Sequence, residues 1–176
     1  YVMITGCNFP NATVYPRVWL ENLPGDFCSD SIGIDVTGPG VFRDSAIVDC
    51  WTIGESPGED NTASMGCLGG PLGLKSGWFH ISISDTQKMD LDINLTETTS
   101  ATALEVKYRV ANGRCSQMTF ENCVDDGAFI TLNLKCRQDS GLWIQVILPE
   151  NATGQVRVNV VATPSTDQSC EPIDPF

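Results

Sequence analysis

Apolar and polar side chains alternate with a period of two along most of the chain. In Leu104-Glu105-Val106-Lys107-Tyr108-Arg109-Val110 the Leu, Val and Tyr side chains share one face and the charges the other. Met89-Asp90-Leu91-Asp92-Ile93-Asn94-Leu95 repeats this, and it places Asn94 on the polar face with Asp90 and Asp92. Ile32 to Val36, Ile130 to Lys135 and Val156 to Val160 alternate as well. This is the pattern of half-buried strands. No stretch of helical length carries an apolar stripe at a spacing of three to four residues. Strands are predicted near 2–6, 13–20, 32–37, 46–53, 77–84, 89–95, 103–110, 117–121, 128–136, 142–148 and 156–163. Residues 54–76, rich in Gly and Pro, read as a long loop, and 38–45 as a junction. The predicted class is all-β: an antiparallel, jelly-roll-like β-sandwich with an N-terminal β segment, in which paired sheets share one core.

Composition narrows the job. At 41% hydrophobic and 18% charged, 176 residues suffice for one core. The formal charge is −12, and the ten basic residues are scattered singly. A nucleic-acid partner is not expected, because phosphate contacts need clustered Lys and Arg. Apolar runs are far shorter than a membrane span.

Eight cysteines, Cys7, Cys28, Cys50, Cys67, Cys115, Cys123, Cys136 and Cys170, point to an oxidising compartment and a disulfide framework. Closure of small loops favours Cys7–Cys28, Cys50–Cys67 and Cys115–Cys123, leaving Cys136–Cys170 to tie down the tail. Three N-glycosylation sequons begin at Asn11, Asn94 and Asn151. Together these features predict an extracellular or cell-surface glycoprotein. Tyr1-Val2-Met3-Ile4-Thr5 patterns as a strand from the first residue, as expected after removal of a signal peptide or within a longer chain. The expected organisation is an N-terminal β segment over 1–43 that can connect subunits, a sandwich over 44–164, and a Pro-rich acidic tail over 165–176.

Catalytic readings find little to stand on. His80 is the lone histidine, on a strand face with Trp78, Ser82 and Ser84, and no nucleophile-elbow pattern accompanies it. The closest cysteines in sequence, Cys115 and Cys123, are too far apart for a structural zinc pair. The stretch Gly69 to Ser76 lacks the spacing of a phosphate-binding loop. Asp90 with Asp92, Glu59 with Asp60 and Asp125 with Asp126 read as solvated charge. Asp125-Asp126-Gly127 is the best candidate for a Ca²⁺ turn, without a recognised calcium motif. No enzyme activity, cofactor or metal is expected.

The layout from Asp44 to Ala162 resembles the β-sandwich modules of bacterial extracellular proteins, similar to the pre-peptidase C-terminal domain. The matching features are, in order, Ala46 to Cys50, the Gly-rich loop with Cys67, the aromatic strand Gly77 to Ile83, Asp90 to Ile93, and Leu104 to Val110. They continue through Cys115 to Cys123 with Asp125-Asp126, the strand Gly141 to Val146, and Gly154 to Val158. The resemblance implies a non-catalytic appendage that binds, spaces or assembles.

One feature bears on function. Trp143 and Ile147 lie opposite the apolar face of their strand, and Phe129 and Val161 break polar faces elsewhere. A wet face does not favour such residues. Two readings follow. The first is a structural module, self-associating head-to-tail into a filament through β-strand addition by its N-terminal strand. The second is an adhesin-like module for carbohydrate or a cell-surface partner, Ca²⁺-dependent in one version, with Trp78 or Trp143 stacking on a sugar.

Overall fold

A computed structural model describes residues 25, 28–49, 51, 74–85, 88–101, 106–115, 117–125, 129–137 and 141–166. Within them a short 3-10 turn, η1 (Cys28–Asp30), precedes nine strands: β1 (Ile32–Val36), β2 (Gly40–Ile47), β3 (Leu74–Ile83), β4 (Met89–Thr99), β5 (Lys107–Arg114), β6 (Gln117–Asp125), β7 (Phe129–Arg137), β8 (Leu142–Pro149) and β9 (Gly154–Pro164). They form two sheets, in the orders β1-β3-β8-β5-β6 and β2-β9-β4-β7. The sheets pack face to face as a β-sandwich. β1 runs parallel to β3, and every other described pair is antiparallel.

The alternation in the sequence is the cause of this arrangement. Met89, Leu91, Ile93 and Leu95 of β4 and Val156, Val158, Val160 and Ala162 of β9 turn inward. They meet Phe79, Ile81 and Ile83 of β3 and Leu142, Ile144, Val146 and Leu148 of β8. Full burial of each such side chain is worth about 1.5–3 kcal/mol. A one-residue slip of any strand would turn its apolar row to solvent, so the register is fixed.

The structure changes the predicted layout in three places. The expected strand over 46–53 runs instead from Gly40 to Ile47, so most of the expected junction over 38–45 is strand. It ends where Asp49 Oδ1 accepts the N–H of Gly154 at 2.7 Å and the chain turns with Trp51 N–H on the Val48 carbonyl. β1 and the first half of β2 precede residue 44, and both are hydrogen-bonded into the sheets. β3 starts at Leu74 rather than at Gly77. Its Lys75 is buried, with the ammonium donating to the Ala152 carbonyl at 2.5 Å. The strands expected over 2–6 and 13–20 lie outside the described residues.

The disulfide framework also differs. Cys28 bonds Cys115, with Cα atoms 5.7 Å apart and a separation of 87 positions in sequence. This replaces the expected Cys7–Cys28 and Cys115–Cys123 pairs. Loop size describes the unfolded chain, whereas these partners are set by where strands end. The Gly25 carbonyl accepts the N–H of Trp78, so η1 is carried onto the outer face of the five-stranded sheet, near the end of β5. Cys136 is disulfide-bonded as well. Cys7, Cys50, Cys67 and Cys170 also lie outside it, and Cys123 is the register partner of Arg109 on β6.

Candidate functional site

The outer face of the five-stranded sheet is covered around β8. Trp78 is 1% exposed, Ile147 2% and Trp143 8%. β8 is buried on both faces from Leu142 to Leu148. Cys28 packs with Trp78, Ala111 and Trp143, and η1 is held over them by the Cys28–Cys115 bond. Trp143 donates its indole N–H to the Gly113 carbonyl at 2.8 Å, and the His80 ring stacks on it at a centroid distance of 4.0 Å. Beside them, Arg109 Nη1 donates to Gln145 Oε1 at 3.4 Å, both residues buried. Neither Trp78 nor Trp143 offers a free face on which a sugar ring could stack. The His80 ring packs against the Trp143 indole, and on the same strand face the Ser82 hydroxyl donates to Asp35 Oδ1 at 3.1 Å.

The outer face of the four-stranded sheet is open and polar. Asn94 lies in its middle, half-buried, between Asn159 of β9 and Thr131 of β7, and its Oδ1 accepts the Thr131 hydroxyl at 2.9 Å. Asn151 is exposed in the turn between β8 and β9. That turn is pinned by Ala152 N–H on the Pro149 carbonyl, and by Lys75 on the Ala152 carbonyl. Both sequon asparagines therefore sit on solvent-facing parts of the fold. Asn11 lies outside the described residues.

The acidic candidates separate. Asp90 accepts the Cys136 backbone N–H at 3.0 Å and pairs with Lys135 at 3.0 Å. The Cys136 N–H first, and then Lys135 and Ser165, hold its carboxyl below the ordinary value against the opposing pull of burial. Asp92 is exposed. Asp125 ends β6, and Asp126, Glu59 and Asp60 lie outside the described residues. Among the described residues no three His, Cys, Asp or Glu side chains converge as metal ligands. No helix among them is long and apolar enough to cross a membrane.

The sheet edges hold the remaining candidate. β1 is a short edge of five residues. The last residues of β7 include Lys135, paired to Asp90, and Cys136 at a φ of 58°, before the strand ends at Arg137. Charge and brevity of this kind blunt an edge. β2 is eight residues long and is a terminal strand of its sheet. The N–H of Val48 bonds the Gly154 carbonyl, so Phe42, Asp44 and Ala46 direct their backbone groups toward β9 by alternation. Val41, Arg43, Ser45 and Ile47 direct theirs outward. Val41 is 58% exposed and Ile47 68%, and they are the exposed large hydrophobic residues among those described. Val161, which breaks the polar face of β9, lies beside Val41 in register. One outward amide is taken: Ser45 N–H donates to Asp44 Oδ1 at 2.7 Å.

Sequence reasoning missed this edge. Gly38-Pro39-Gly40 looked like a break, and Asp44 interrupts the apolar row of Phe42 and Ala46. The available signal was the alternation of Val41, Arg43, Ser45 and Ile47 against Phe42 and Ala46. The sequence matches no protein-family model, and no match was found for it among curated proteins.

Proposed function

We propose that the chain is an extracellular, glycosylated structural module that associates with copies of itself by β-strand addition. The β2 edge carries this reading. It is long, exposes Val41 and Ile47, and turns a row of backbone donors and acceptors to solvent. Such an edge is a template for another strand, with main-chain bonds giving affinity and alternate side chains giving specificity. The disulfides favour an oxidising compartment. The solvent-facing Asn94 and Asn151 are suited to carry glycans. The similarity in layout to pre-peptidase C-terminal modules is in keeping with a non-catalytic role. Two donors fit the edge: the strand-patterned Tyr1 to Thr5 of a neighbour, which would build a head-to-tail filament, or an edge strand of another copy.

Small-angle scattering of the native, unreduced protein over a concentration series tests the reading. The expected result is a mass that rises with concentration. A mass that stays at one chain throughout would overturn it. In the same material, Asn94→Gln and Asn151→Gln are each expected to remove one glycan by intact mass. An unchanged mass for either variant would show that its sequon is unused.

A further inference from the structure

We infer that the partner of the β2 edge is β2 of a second copy, paired antiparallel across a two-fold axis at Asp44. This rests on the assembly reading above and names its partner. A two-fold axis normal to the sheet keeps the outer faces of both copies on the same side. Opposed residues must then share a face, so odd positions oppose odd positions and even oppose even. Centring the axis on Asp44 sets Val41 opposite Ile47 of the second copy, and Ile47 opposite its Val41. Arg43 then meets Ser45 of the second copy. All four of these positions are those whose backbone groups point outward, so the hydrogen-bond phase is satisfied together with the apolar match.

The neighbouring register, centred on Arg43, would set Arg43 against itself and leave Val41 opposite Ser45. It loses both apolar pairs. The exposed apolar residues of β2 thus select one axis. An isologous contact of this kind joins two four-stranded sheets into one of eight.

Asp44 is the restraint on this contact. It lies on the edge between Phe42 and Ala46, and its carboxylate holds the Ser45 N–H that a partner strand would need. In the pair it also faces Asp44 of the second copy, at a Cα separation of about 4.5–5.5 Å. Like charges directly opposed weaken a strand pair. The contact is therefore weak and reversible by construction.

Sedimentation of the full chain and three variants decides the matter. Val41→Lys with Ile47→Lys places charges on two exposed positions, where substitutions barely alter folding. It is expected to weaken association more than about tenfold. Asp44→Asn keeps an acceptor for Ser45 but removes the charge, and is expected to tighten association about two- to five-fold. Deletion of residues 1–6 is expected to leave association unchanged. If the deletion abolishes association and the double lysine variant does too, the N-terminal strand occupies the edge: the two-fold inference falls and the assembly reading stands. If association persists in the double lysine variant, β2 is not the contact and the inference falls. If the native chain does not associate at any concentration, both fall.

Discussion

Gly77 shows how far a single residue reaches in this fold. It lies on the inward face of β3, and a Cβ placed there would come within 2.2 Å of the Trp51 ring. Absence of a side chain lets the indole approach the strand closely, where Trp51 is buried in the inter-sheet core. Gly77→Ala is expected to cost about 1–3 kcal/mol, read as a lower urea midpoint with unchanged slope. Asp90 acts through charge. Its folded pKa is lowered, chiefly by the Cys136 N–H, so its contribution is present above the unfolded value of about 3.9 and is lost as pH falls through the folded value. Asp90→Asn should therefore be less stable than the native chain near neutral pH. The gap should close below about pH 4, and a gap that persists there would show that charge is not the cause. Neither role was legible in the sequence. Gly77 read as the start of an aromatic strand, and Asp90 as one more solvated acid, because the contacts that define both come from residues distant in the chain.

At the scale of elements, the strands with clean alternation were legible. β4 and β9 follow their sequence pattern closely, since each has one face in the core and one in solvent. β8 was legible as a strand and as an anomaly. The sequence marks Trp143 and Ile147 as apolar residues on the wrong face, and both prove buried beneath a covered sheet. What failed were the elements whose pattern is set by neighbours. β2 was misplaced because an edge strand keeps only a weak apolar row. The cysteine pairing was misread because the bond from η1 to the end of β5 depends on sheet order, which sequence spacing does not contain. Replacing Cys28 and Cys115 together by Ser is expected to lower stability by about 2–4 kcal/mol. A proteolytic digest of the unreduced protein should yield one linked pair holding Cys28 and Cys115, and a Cys7–Cys28 peptide in its place would contradict the fold.

At the scale of the whole molecule, the two outer faces are unlike. One is sealed over Trp78, Trp143 and Ile147. The other is open, polar, and bordered by the exposed edge β2. An exposed β2 edge is suited to joining copies side by side, and glycans at Asn94 and Asn151, as proposed above, would discourage other contacts. The measurement that bears most directly on this is amide hydrogen exchange along β2 at low and high protein concentration. At low concentration the outward amides of Val41, Arg43 and Ile47 should exchange fast, while the inward amides of Phe42 and Ala46 stay protected by β9. At high concentration the outward amides should slow, with the rest of the sandwich unchanged. Outward amides that exchange equally fast at both concentrations, in protein shown to associate, would contradict strand addition at this edge.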